Sequence, residues 1–391
     1  MKELLQKLKE NTLSMKRDKV KHVLVVIMVE GYPIGDSVLV FSGLRAISKY
    51  FNGQQFDLLT TKEHYTYLQN SPLVKNYYFD MEGVDFPAYD LIVNFSTKDI
   101  YLAEFLNGKY REGILNGSHT FGVHSLFLKK GFEHNVLFEF FSDFERYIMS
   151  EYQLEREFWG HELHMSAADR EWGNEWFRSQ GVKENEKVIV VLDGTSGRSK
   201  LLPMNVYFDV LRFFMTFENT RILIFDPDNL DKRSFYQQML ENEQLDQFIF
   251  VKRHGLRKDF CLLASDFVHM VFGPCTGLLH CAEGIYNTMD QKGVLSREWP
   301  MLIAYMGPTT SPDDPDKWYW WGDTHVECLY TEMDLREPDR RVVKRLAGPG
   351  HFGLPCQEFK AGALIRYLTR NHGERLREWG MLPAAPAAVA L

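Results

Sequence analysis

The sequence predicts an α/β protein made of two doubly wound domains in series, and three observations carry that prediction. Short, continuously apolar runs recur along the chain with helical patterns between them. Glycine-bearing loops follow several of these runs, and the strand–loop–helix order starts again near residue 186. At 391 residues the chain is long enough for two separate cores.

HVLVVIMV (22 to 29) is the first strand, apolar throughout as a strand buried on both faces would be. EGYPIGD closes it, and SVLVFSGLRAISKYF then takes helical periodicity. FDLLTT is the next strand, HYTYLQN a short helix, and VKNYYFD and DLIVNFS two further strands before the helical YLAEFLNGKY. LFEFFSDFERYIMSEY reads as helical, and EFWGHELHMSAADREWGNEWFRSQGV as a polar, tryptophan-bearing link. The second round begins with EKVIVVLD (186 to 193), passes through GTSGRSKLLP into the helix MNVYFDVLRFFMTF, and continues with RILIFD, QFIFVK and DFVHMVF. PMLIAYMG (300 to 307) reads as the last clear strand, and QEFKAGALIRYLTRNHGERLREW as a closing helix. The expected domains are 1–165 and 166–380, with 381–391 a tail that has little to bury.

Composition narrows the function classes. Hydrophobic residues make up 45% and charged residues 25%, as in an ordinary soluble globular chain. The five cysteines include no CxxC pair, which argues against a disulfide framework and a structural zinc site and for a reducing cytoplasm. A net charge of −8 with interspersed signs offers nucleic acid no basic footprint. The leader MKELLQKLKENTLSMKRDKVKH is too polar for a signal peptide. As a basic amphipathic helix it would pack on its own domain or touch an anionic membrane surface at the inner face of the cytoplasmic membrane.

Four loops follow strands, where open α/β sheets bind ligands. In GYPIGD, Asp36 falls at the start of a helix; it either caps that helix or serves as a carboxylate base, and position alone leaves both open. Its loop lacks GxGxxG spacing, so a dinucleotide fold gains no support. DGTSGRSKLLP is not a P-loop, yet Thr195, Ser196 and Lys200 are the donor types and the cation that a diphosphate needs. In FGPCTGLLHCAEG, Cys275, Thr276 and Gly277 precede a small-residue helix whose first N–H groups suit a phosphate, with His280 one turn further on. His280 read alone is as well explained by a structural hydrogen bond, and with Cys275 and Cys281 it has no standard metal spacing. MGPTTSPDDPDKWYWWGD (306 to 323) is either a rigid aromatic turn or a stacking wall for a sugar or base.

Taken in order, these pieces resemble the heptosyltransferases of glycosyltransferase family 9. The likeness lies in Gly35-Asp36 before a helix carrying Leu-Arg-Ala, a strand of the type FDLL, a Thr/Ser loop with Lys200 three residues before Pro203, TGLLH, and a strand ending in GPT. It spans most of residues 22 to 320. The resemblance implies GT-B architecture, two Rossmann-like domains facing a central cleft, with the acceptor on the first and the nucleotide-sugar on the second. It implies inverting, metal-independent transfer, without a cofactor, from a donor that is typically ADP-heptose. Asp36 matches the general base; Thr195, Ser196 and Lys200 match one donor loop; Thr276, Gly277 and His280 match the other. Cys275 stands where the family ordinarily has Asp, which leaves the donor sugar open. The acceptor expected is a glycolipid such as lipopolysaccharide core, with a protein or small molecule as alternatives. An extra loop, NTMDQKGVLSREW (287 to 299), is expected to reshape the acceptor side. Two other readings stay beside this one: a non-catalytic member of the fold, and a nucleotide-sugar epimerase on the same architecture.

Overall fold

The structure is a computed structural model that describes residues 17–28, 34–95, 102, 106, 108–114, 125–132, 162–195, 197–252, 254–291, 299–307, 326–333, 340–344 and 354–383. The leader, the helical readings at 101–110 and in LFEFFSDFERYIMSEY, and most of the 306–323 loop lie outside those residues or are described only in part. The chain divides into two units, Met1–His164 and Met165–Leu391.

The first unit is a six-stranded sheet in the order β3-β2-β1-β4-β6-β5. Its strands are β1 (Val23–Ile27), β2 (Phe56–Thr60), β3 (Val74–Tyr78), β4 (Leu91–Asn94), β5 (Tyr110–Ile114) and β6 (Ser125–Lys129). β1 pairs in parallel with β2 and β4, and every one of its residues is buried, which explains its continuous Val/Leu/Ile composition. The helix α1 (Ile34–Tyr50) follows β1, and α2 (Lys62–Leu68) follows β2, capped by Thr61. β5 and β6 join antiparallel on the far side, an addition not read from the sequence: YREGI of β5 carries two charges, and SLFLK of β6 holds only three apolar residues in a row.

A second, seven-stranded sheet fills the other unit, in the order β13-β12-β11-β10-β7-β8-β9. Here β7 is Lys187–Val191, β8 Thr220–Asp226, β9 Phe248–Lys252, β10 Val268–Pro274, β11 Met301–Met306, β12 Val326–Met333 and β13 Arg340–Lys344. All pairings are parallel except β12 with β13. Met301–Met306 is therefore not the last strand, since two more extend the sheet beyond it. Leaving aside β13, the sequence of strands is the 3-2-1-4-5-6 arrangement of a doubly wound fold.

The link before this unit is not a plain tether. Its second half is the helix α3 (Ala167–Ser179), opened by a capping box in which Ser166 accepts from the Asp169 N–H and Asp169 accepts from the Ser166 N–H. α4 (Met204–Met215) buries Val206, Val210, Leu211 and Phe214 against the sheet at helical spacing. Next come α5 (Lys232–Gln237), the single-turn α6 (Asn242–Leu245) and α7 (Leu256–Leu263). α8 (Gly277–Gln291) follows β10, and α9 (Ala361–Glu378) packs Leu364, Leu368 and Leu376 into the same core as α4. No described helix is long and apolar enough to cross a membrane.

Candidate functional site

In the second unit, the connection β7–α4–β8 leaves toward one edge of the sheet and β10–α8–β11 toward the other. The crevice between the carboxyl ends of β7 and β10 is thus the point where the strand order reverses, the ordinary ligand position of such sheets. Val191 registers with Phe272, and the Leu192 N–H donates to the Phe272 carbonyl at 2.8 Å. Gly273 allows this approach: a Cβ there would stand 2.6 Å from the Leu192 Cβ and 2.9 Å from its carbonyl oxygen. The two loops singled out in the sequence, 193–200 and 275–280, therefore leave adjacent strands at the same end.

On the β10 side, Cys275, Thr276 and Gly277 are half-buried. The Thr276 carbonyl accepts from the Leu279 and His280 N–H groups, so α8 begins here and directs its first N–H groups beyond the strand end. His280 is buried, and its Nε2 lies 3.8 Å from the Cys275 Sγ. The histidine thus reaches the thiol at the head of its own helix. Cys275 is half-buried where the other four cysteines, 261, 281, 328 and 356, are buried.

On the β7 side, Thr195 is half-buried and Ser196 lies outside the described residues. Lys200 ends a 3-10 turn, Arg198–Lys200, and is exposed. The loop is anchored by a network that no local pattern in the sequence announced. Asp193 accepts from Lys232 Nζ at 2.5 Å and from the Tyr236 hydroxyl at 3.1 Å, while Lys232 Nζ also donates to the Phe225 carbonyl at 2.6 Å. Tyr305 on β11 bonds to the backbone of Leu202 at the loop's far end, and burial pushes its hydroxyl pKa well up. Asp226 accepts from the N–H groups of Leu230 and Lys232, which shapes the turn leading into α5.

Cys356 ties the two sides together. It lies at the end of β11, where a Cβ on Gly307 would stand 3.4 Å from its Sγ. Burial pushes its thiol pKa up to about 12; Cys275 adds to the rise and Lys200 opposes it. Lys200 and Cys275 therefore both lie within electrostatic reach of one buried thiol. Among the described residues, no three metal-ligating side chains stand together.

In the first unit, Asp36 is the third residue of α1, directly beyond the β1 loop. At the other end of that helix, Arg45 Nη2 donates to Glu162 Oε2 at 2.8 Å, and His164 Nε2 lies 3.2 Å from the same oxygen. Burial alone would raise the Glu162 pKa, but His164 and Arg45 outweigh it and hold it below the usual carboxylate range. Of the 287–299 segment, residues 287 to 291 belong to α8 and not to a loop.

No protein-family model matches the sequence, and no curated protein matches it. Solved structures do match. The glycosyl transferase family 9 structure from Veillonella parvula aligns with a TM-score of 0.59 at 14% identity, covering 93% of this chain and 99% of the other. The fold is that of a family 9 glycosyltransferase. The E. coli ADP-heptose lps heptosyltransferase II aligns with a TM-score of 0.53, also at 14% identity, covering 91% of this chain and 99% of its own. The likeness in fold extends over nearly the whole chain and takes in both α/β units.

Proposed function

We propose that the chain is an inverting, metal-independent glycosyltransferase that moves a heptose or related sugar from a nucleoside diphosphate donor, ADP-heptose first among them, to an acceptor hydroxyl of lipopolysaccharide core. The observation that supports the reading is that the 193–200 and 275–280 loops leave adjacent strands, β7 and β10, at the same end, where the strand order reverses. That end of the second unit offers the N-terminus of a fifteen-residue helix and a lysine on the neighbouring loop, a suitable cradle for a diphosphate. The E. coli protein of like fold acts, by its description, with ADP-heptose on lps.

In the mechanism, Asp36 of the first unit takes the proton from the acceptor hydroxyl. The oxygen forms its bond to the anomeric carbon as the bond from that carbon to the diphosphate breaks, and the electron pair leaves with the phosphate. Lys200 and the N–H groups at Thr276 and Gly277 stabilise the charge that grows on the leaving group, with Thr195 and Ser196 donating to its other oxygens. The donor enters as substrate, no cofactor takes part, and the reaction belongs to the cytoplasm or to the inner face of its membrane.

Cys275 favours one alternative. A thiol paired with His280 is a poor acceptor for sugar hydroxyls where the family resemblance leads one to expect a carboxylate, so a non-catalytic member with a changed donor site is the second reading. Purified protein assayed with a panel of nucleotide sugars, each with glycolipid, protein and small-molecule acceptors, separates the two. Acceptor-dependent transfer supports the enzyme; nucleotide binding without transfer from any donor supports the second reading. A large gain in Cys275→Asp identifies a decayed site, and a loss identifies a site fitted to a different donor.

A further inference from the structure

We infer that Gln357 is a positioning residue for Lys200, and that the short turn carrying it staples together the loops of the nucleotide site. The inference rests on the reading of the second unit as a diphosphate site and adds a residue that this reading does not include.

The turn Cys356–Glu358 is seated from three directions. The Leu354 N–H donates to the Thr331 carbonyl on β12 at 2.9 Å, which ties the segment to the sheet. Cys356 and Phe359 are fully buried in the core that also holds Leu202 and Tyr305. Gly307, directly after β11, lies flat against the turn: a Cβ there would stand 3.3 Å from the Cys356 nitrogen. The turn is therefore an extension of the rigid sheet end.

From this base Gln357 reaches the loop that carries Lys200. Its Nε2 lies 3.2 Å from the Ser199 carbonyl oxygen, 3.3 Å from that of Arg198 and 3.5 Å from that of Leu201, so its two N–H groups are shared among three acceptors. These three oxygens crowd the end of the 3-10 turn, in which the Lys200 N–H bonds to Gly197 and the Leu201 N–H to Arg198. One amide group thus caps the end of the turn on which Lys200 stands. The loop's other fixed points, Asp193 with Lys232 at its start and Leu202 with Tyr305 at its close, hold its ends and leave the turn at 198–200 to Gln357. Lys200 itself is an exposed, flexible cation, and a cation of that kind contributes to an anion site in proportion to how well its backbone is held.

The test is a double-mutant cycle read as ADP affinity by calorimetric titration of the full chain. Gln357→Met keeps the length of the side chain, removes the donor and adds no charge. It should weaken ADP about three- to tenfold and lower the melting temperature by about 1–6 °C, the cost of one lost hydrogen-bond donor within the chain. In a Lys200→Ala background, the same change should alter affinity less than about twofold, because the group it positions is gone. Gln357→Lys, which restores a donor at similar reach, should recover part of the loss in the Lys200 protein. An equal loss in both backgrounds, or no loss in either, overturns the positioning role. If the wild-type chain binds no ADP, the nucleotide reading fails and the staple with it; if it binds and the cycle is additive, the staple fails alone.

Discussion

Gly273→Ala probes the meeting of β7 and β10 at its narrowest point. The new methyl would stand 2.6 Å from the Leu192 Cβ and 2.9 Å from the Leu192 oxygen. Ordinary carbon contacts lie near about 3.5–4.0 Å, so the strands must part by about 1 Å. The hydrogen bond from the Leu192 N–H to Phe272, now 2.8 Å, lies beside the clash and would lengthen with it. Overpacking of this kind costs about 1–3 kcal/mol, and a weakened ladder bond adds about 0.5–1.5 kcal/mol. A total of about 2–4 kcal/mol corresponds to a fall of about 5–15 °C in the melting temperature of a domain this size. The assay is thermal unfolding followed by circular dichroism, with ADP titrated into the protein well below its melting point. Both stability and ADP affinity should drop, because the strand ends that separate are those from which the 193–200 and 275–280 loops, the candidate diphosphate site, leave. A variant that melts within 2 °C of wild type and binds ADP equally would refute the argument. Gly307→Ala is the internal comparison: its nearest contact is 3.3 Å, and it should cost about 0.5–1.5 kcal/mol, the low end for added volume.

Other outcomes follow from the same geometry. Lys200→Ala should weaken ADP by about ten- to a hundredfold, the scale of a charge-assisted bond, and lower turnover as well, measured by titration and by steady-state kinetics. Asp193→Ala leaves the Lys232 ammonium, 18% exposed, without its carboxylate; since a fully buried pair costs about 3–5 kcal/mol to break, about 2–3 kcal/mol is expected by urea unfolding. Adding Lys232→Met to that variant should recover part of the loss. Because the Glu162 pKa is lower folded than unfolded, its contribution to stability is complete above about pH 4.3 and is lost as pH falls through the folded value. Glu162→Gln should therefore flatten the acid limb of the first unit's stability, measured by urea unfolding between pH 3 and 6 as an approximate window. A thiol reagent should label about one cysteine per native chain, Cys275, and ADP should slow it, as read by mass spectrometry.

The sequence disclosed the parts of the fold whose buried faces are continuous. β1, and β7 beyond its opening Lys187, are flanked on both sides by parallel neighbours and are apolar, and they read as strands at once. α3 did not, because its exposed surface is polar and its start signal is the Ser166–Asp169 pair, a shorter form of the usual Ser-x-x-Glu box. β12 and β13 were missed for a different reason: VECLYTEM and RRVVK break their apolar runs with charged residues, so neither shows the continuous pattern of the central strands.

The candidate site divides along similar lines. The junction at Thr276 and Gly277 was legible because small residues mark a strand running into a helix, and its order relative to Thr195 and Lys200 carried the family resemblance. Asp193 sits beside Thr195, yet its partners are 39 and 43 residues away, and nothing local marks Lys232 or Tyr236 as bound to it. Gln357 lies 159 residues from Arg198, and only the folded chain makes them neighbours. Residues at a strand end or a helix start leave local patterns; residues that hold a loop from a distance need not.

The most direct test of the glycosyltransferase reading is the release of ADP from ADP-heptose by the wild-type chain and by Asp36→Asn, with and without a glycolipid acceptor. Wild type should release ADP only when acceptor is present, and Asp36→Asn should do so at least about a hundredfold more slowly with donor affinity unchanged, the signature of a lost general base. Acceptor-dependent release at the same rate in both proteins, or none from either under conditions where ADP binds, would contradict it.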